Sequence, residues 1–197
     1  MKLLHRKDLY GWSRFNEERD VDFNSVLWTR PDGNIAFDPL PLSEHDAAQI
    51  QKLGGVAWIV ITNTDHVRDA AEIARKFGTK IAAPLGERNE IRVPCDRWLS
   101  GGDELVPGLR AIGFDGGKTA CELAFVLEET TLITGDLIRA HRAGTLRLLP
   151  DEKLKDPARA KQSLKRLLDF PKIDTVLVGD GWSYFGDALA ALRKLTS

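Results

Sequence analysis

Residues 56 to 62, VAWIVIT, are apolar without alternation, the pattern of a strand buried on both faces. Behind this run, Ala70, Ile73, Ala74 and Phe77 recur at i, i+3, i+4 and i+7 with polar residues between, which predicts an amphipathic helix. Gly78 stands where a left-handed residue would end it, and KIAAP, residues 80 to 84, is the next strand. Ahead of the run, SVLWT (25 to 29) and IAFD (35 to 38) flank RPDGN. Its Pro31, Asp32 and Gly33 supply a fixed φ, a local hydrogen bond and a permitted positive φ, so the segment predicts a hairpin. Ser43 followed by Asp46 resembles a capping-box start, with a helix through Ile50 and Leu53 to a stop at Gly54.

The second half repeats the theme. After an irregular segment carrying LSGGDELVPG, the strands ELAFVLE and TTLITGD are joined by a tight turn at Glu128 to Thr130. Asp156 and Pro157 predict the N-cap and first position of a helix whose apolar stripe is Leu164, Leu167 and Leu168, closed by Pro171. DTVLV is another strand, and a last helix covers about 187 to 195. Strand pairs followed by strand and helix alternation, twice over, predict an α/β (α+β) chain with two packed sheets and helices outside. No linker divides it, so residues 1–197 are expected to form one domain, a length that buries about 70% of the unfolded surface.

Charge and composition narrow the partners. With 28 basic and 29 acidic side chains the formal net charge is −1, which gives no reason to expect nucleic acid or an anionic membrane; a small-molecule substrate is the expected partner. No apolar run approaches the roughly 18 to 20 residues needed to span a bilayer. The start, MKLLHRKDLYGW, opens like the charged region of an export signal, but Leu3 and Leu4 lead straight back into HRKD, so the expected location is cytoplasmic. Cys95 and Cys121 are too far apart for a C-x-x-C pair and are expected as two reduced thiols. Oligomeric state is left open.

The candidate chemistry lies at the strand ends. VAWIVITNTDH delivers Asp65, TLITGD delivers Asp136 and DTVLVGD delivers Asp180. In layered α/β proteins ligands bind beyond the carboxyl ends of strands, where loops diverge. Taken singly, Asp65 reads as a helix cap and the other two as turn residues. Taken together, three crowded carboxylates repel one another unless they share protons or recruit a cation, and His66 adjoins the first of them.

These residues resemble the metallo-beta-lactamase superfamily from about Ser25 to Leu195. Ile35-Ala36-Phe37-Asp38-Pro39 is similar to the end of the family's opening strands, and ITNTDHVRDA lies where the family has Thr-His-x-His-x-Asp-His. GGDELVPGLRAIGFDGGKTACELAFVLEETTLITGDL is similar to the stretch with the third metal histidine, the return hairpin and the bridging aspartate. VLVGDG sits where a Gly-His-Gly segment is usual. The resemblance implies a four-layer αββα sandwich with a metal site at one edge.

It also implies a damaged site. The first metal would need histidines at positions held by Ile61, Asn63 and Lys118, and the chain's only histidines are at 5, 45, 66 and 141. For the second metal, Asp65, His66 and Asp136 match and Asp180 replaces the final histidine, so at most one divalent ion, such as zinc, manganese or iron, is implied. The implied activity is metal-dependent hydrolysis of an ester, thioester, lactone, amide or phosphoester. Asp65 would orient or deprotonate water, and Lys118 would stabilise the oxyanion. The alternative is a non-catalytic binding protein whose site is salt-bridged and metal-free. Substrate contacts are conceivable from Asn63, from an aromatic wall of Trp182 and Tyr184, and from a cationic clamp of Arg139, His141 and Arg142. The competing readings are core packing for the aromatics and a solvated loop for the arginines.

Overall fold

The apolar runs become the central strands of two mixed sheets. The computed structural model describes residues 1–196. The first sheet is ordered β1 (Lys2–Leu3), β2 (Leu9–Asn16), β3 (Val21–Trp28), β4 (Ile35–Phe37), β5 (Trp58–Val60), β6 (Lys80–Pro84) and β7 (Arg97–Leu99). Its strands are antiparallel up to β4 and parallel from there. The second sheet is built from β8 (Glu104–Val106), β9 (Leu109–Phe114), β10 (Glu122–Leu127), β11 (Thr131–Thr134), β14 (Thr175–Val178) and β15 (Tyr184–Phe185), in the spatial order β15-β14-β11-β10-β9-β8. Only β11 and β14 run parallel in it. A separate ribbon pairs β12 (Ile138–Arg142) with β13 (Thr145–Leu148).

Three apolar layers hold these elements. Phe37, Val60 and Leu99 from the first sheet meet Leu109, Phe125 and Leu177 from the second. On the outer face of the first sheet, Ile50 of α1 (Glu44–Lys52) and Ile73 of α2 (Ala70–Phe77) cover Ile59 and Ile81. On the other side, Leu164 of α3 (Pro157–Leu164) and Leu192 of α4 (Ala188–Leu195) cover Phe114, Val126 and Val176. Successive residues Ile59 and Val60 therefore face different apolar layers, which explains the unbroken apolar run around them. The result is the αββα arrangement.

Local signals act as expected at several ends. The Ser43 hydroxyl accepts from Asp46 N at 3.1 Å, the Asp156 carboxylate from Arg159 N at 2.9 Å, and Gly78 closes α2 with φ +67°. Other segments differ. Asp65 does not cap a helix beginning near Val67: Thr64–His66 forms a 3-10 turn capped by Asn63, and α2 starts at Ala70. Arg139, His141 and Arg142 stand in β12, not in a loop. No helix among the described residues is long and apolar enough to cross a membrane.

Candidate metal centre

The chain leaves β4, β5, β11 and β14 into loops that share one edge of the sandwich. Asp38, directly after β4, has φ +45°, a strained conformation for a non-glycine residue. Its buried carboxylate accepts from Thr62 N at 2.8 Å and Thr62 Oγ1 at 2.7 Å, and it lies 2.7 Å from His66 Nδ1. With Nδ1 held by Asp38, Nε2 faces the other acids, 3.6 Å from Asp136 Oδ1. His66, Asp136 and Asp180 are all buried, and each offers one ligand atom within 4.8 Å of the others. Asp180 Oδ1 is buried with no hydrogen-bond partner among the described residues, and Arg68 Nη2 is 3.8 Å away.

Two guanidinium groups enter the same cluster. Arg139 Nη2 donates to Asp136 Oδ1 at 2.9 Å and lies 3.0 Å from Asp180 Oδ2, while its Nε reaches Asp136 O at 3.2 Å. Arg68, another residue at positive φ (+44°), donates to Asn24 O at 2.5 Å and Asp38 O at 2.9 Å, and its Nη2 is 3.4 Å from His66 Nε2. Burial alone would lower the His66 pKa, but the Asp38 charge and the Asp136 and Asp38 hydrogen bonds raise it to about 10. Burial likewise opposes ionisation of Asp136. His66 and Arg139 outweigh it and hold that carboxyl well below the usual range.

Two buried glutamates, neither of them among the expected site residues, brace the loops. Glu122 accepts from Asp136 N at 2.8 Å and from Leu137 N at 3.0 Å; burial and the Asp136 charge push its pKa up to about 8 against those donors. Glu87 is fully buried and accepts from Thr64 N at 2.5 Å, from the Thr64 hydroxyl and from Cys121 N at 2.9 Å. A charge opening the apolar strand ELAFVL was a legible signal for Glu122. Glu87 stands in the irregular segment after KIAAP and carried no comparable one.

Of the four expected ligands, the structure gathers His66, Asp136 and Asp180 and leaves Asp65 outside. The Asp65 carboxylate instead pairs with Lys118 Nζ, and both are roughly two-fifths exposed, at 43% and 42%. The pair stands on the wall of a cavity of about 340 Å³ that His66, Asp136 and Asp180 also line. At positions where the resemblance implied first-site histidines, Ile61 is core beneath α1 and α2, while the Asn63 side chain accepts from Asp65 N at 2.9 Å and reaches toward Asp136 Oδ2 at 3.4 Å. Asn63 is a brace between the two loops. Arg139 and His141 line an adjoining cavity of about 600 Å³. Trp182 and Tyr184 line neither cavity: Trp182 is exposed and Tyr184 packs on the core beneath α3 and α4, so the aromatic wall does not form.

A family model described as the metallo-beta-lactamase superfamily matches residues 1–197. Among solved structures, a metallo-beta-lactamase from Pontibacter korlensis is 14% identical with TM-score 0.74, covering 100% of this chain and 95% of its own. DIM-1 metallo-beta-lactamase is 15% identical with TM-score 0.73, covering 97% and 92%. FIM-1 from Pseudomonas aeruginosa, solved in a mono-zinc form, is 17% identical with TM-score 0.69, covering 95% and 89%. These likenesses show the shared fold. No curated protein matches the chain in sequence.

Proposed function

We propose, from the premise that this chain belongs to the metallo-beta-lactamase superfamily, that it is a hydrolase of small molecules using one divalent ion held by His66, Asp136 and Asp180. The observation that carries this reading is Asp180 Oδ1, a buried carboxylate oxygen without a donor among the described residues, beside an imidazole nitrogen and a second carboxylate. Leaving such an atom unsatisfied costs about 1–3 kcal/mol, and more when charged, so a cation fits there. Two carboxylates and an imidazole suit zinc, manganese or iron, and FIM-1 shows that a relative of this fold exists with a single zinc. Such an ion supplies Lewis acidity to a water or to an ester, thioester, lactone, amide or phosphoester group.

The chain's own side chains do the positioning. Asp38 holds Nδ1 of His66 so that Nε2 faces inward, the arrangement typical of a ligating histidine. Glu122 fixes the backbone of Asp136. Asp65, on the cavity wall, would take a proton from water, and Lys118 beside it would stabilise a developing oxyanion. Arg68 and Arg139 offset the carboxylate charge and so compete with the ion.

One observation favours a second reading. Arg139 already bridges Asp136 and Asp180, and with Arg68 and protonated His66 it balances the three charges of Asp38, Asp136 and Asp180 without any metal, as a non-catalytic binding protein would need. Equilibration with zinc, manganese or iron followed by removal of free ion separates the two. The hydrolase reading expects close to one ion per chain and hydrolysis of activated esters, both lost in Asp180→Ala. Absence of uptake with all three ions overturns it in favour of the salt-bridged protein.

A further inference from the structure

The adjoining cavity of about 600 Å³ differs in character from the acid cluster. Arg19, Lys118, Arg139, His141 and Lys153 line it, against a single acid, Asp180. These groups come from separate places in the fold. Arg19 lies in the turn between β2 and β3, Lys118 in the loop before β10, and Lys153 in the 3-10 turn Asp151–Lys153. Arg139 and His141 are two apart on β12, whose pairing with β13 is irregular between Arg139 and Arg142, and both reach the cavity wall. Lys118 is committed to Asp65, and Arg139 to Asp136 and Asp180. Arg19 and Lys153 have no carboxylate within ion-pairing distance among the described residues; Arg19 only stands over the Phe23 ring, at 5.9 Å. Two positive charges in the hollow are therefore unbalanced. His141 feels the same field: burial, then Arg139 and Arg147, lower its pKa.

We infer that this basic chamber binds the phosphate dianion of a phosphorylated small molecule. A dianion matches the two unbalanced cations, and Arg139 on the wall, whose Nε and Nη2 are engaged by Asp136 and Asp180, retains Nη1 as a donor for a phosphate oxygen. The volume lies within the range of small-molecule pockets, about 300–1,000 Å³. Val21 and Leu149 form an apolar wall against which a carbon skeleton can rest. Arg19, Lys118 and Asp180 line both cavities, so a molecule anchored by its phosphate here extends toward Asp136 and His66. The assignment of this molecule as the substrate rests on the proposed hydrolase function; the anion site itself does not. The basic groups line one hollow, and the net charge of the chain is −1, which disfavours a nucleic acid strand.

The test is calorimetric titration of the full chain, stripped with chelator, at low ionic strength. Inorganic phosphate and glycerol phosphate are expected to bind at millimolar concentration or better, and succinate at least tenfold more weakly. In the double variant Arg19→Gln/Lys153→Gln phosphate affinity is expected to fall at least tenfold; both side chains are exposed, so the thermal midpoint should stay at the wild-type value. Equal phosphate affinity in that variant, no phosphate binding to wild type, equal binding of succinate, or tighter binding of an RNA oligomer than of glycerol phosphate would each overturn the inference. Metal uptake by the wild-type chain is measured separately. Phosphate binding without uptake retains the anion site and removes the hydrolase reading, and uptake without phosphate binding does the reverse.

Discussion

Gly135 and Gly179 explain why two of the acids arrive as Gly-Asp pairs. A Cβ on Gly135 would lie 2.6 Å from Asn63 Nδ2 and from Thr62 Oγ1, and one on Gly179 would lie 2.6 Å from His66 Cε1. Each glycine lets the Thr62–His66 loop close onto the next residue's carboxylate, so the dipeptide is packing chemistry in service of the site. His66 gives the sharpest residue-scale expectation. Its folded pKa is raised from 6.5 to about 10, so in the metal-free chain the stabilisation from its acid partners is fully present below about pH 6.5 and is lost as pH rises through about 10. The urea midpoint of chelator-treated protein should therefore fall between pH 7 and 10, and fall less in His66→Gln. A flat wild-type midpoint would mean that the imidazole is already neutral at pH 7. The acids Asp136 and Asp180 and their histidine were legible because each follows a buried strand. Arg68 was not: it reaches the cluster through a left-handed backbone that no side-chain pattern announces.

At the scale of elements, the turn between β10 and β11 is built against local preference. Thr130 N donates to Leu127 O at 3.1 Å across Glu128 and Glu129, which have φ of +44° and +63°. Two successive positive φ values define a type I′ turn, where asparagine and glycine are favoured and other residues cost about 1–2 kcal/mol each. The glutamates hold it through exposed pairs, Glu128 with Arg6 at 2.6 Å and Glu129 with Lys172 at 2.5 Å, of the kind that contributes little. Glu128→Asn with Glu129→Gly should raise the thermal midpoint, measured by circular dichroism; a lower midpoint would show the two surface pairs outweighing the backbone strain. Burial on both faces made the cores of β5, β10, β11 and β14 legible, and caps and glycine stops marked α1, α2 and α3. The strands that went unread, β1, β2, β7, β8, β9, β15 and the β12–β13 ribbon, are mostly those with an exposed face or edge, where polar residues are compatible with pairing and the apolar period breaks. That loss bears on the proposed anion site, because β12 carries Arg139 and His141.

Over the whole molecule, the acid cluster has to be assembled from both halves: Asp38 and His66 come from the first sheet's loops, Asp136 and Asp180 from the second's. Their spacing is therefore set by how the sheets pack, and the Phe37–Phe125 contact lies in that interface, ring centroids 5.9 Å apart and tilted by 58°. Both rings are almost fully buried, so Phe37→Ala or Phe125→Ala should each destabilise by about 3–5 kcal/mol. The double variant should lose less than the sum, with a coupling of about 0.5–1.5 kcal/mol. The two single variants should differ at the site. Phe37 immediately precedes Asp38, whose left-handed backbone and hydrogen bond orient His66, whereas Phe125 lies three residues from Glu122 along a strand paired on both sides. At equal loss of stability, Phe37→Ala should weaken metal uptake more than Phe125→Ala, read by ion stoichiometry below the unfolding transition. Equal uptake by the two would show that the site's geometry is set by its own loops and not by the packing of the sheets beneath it.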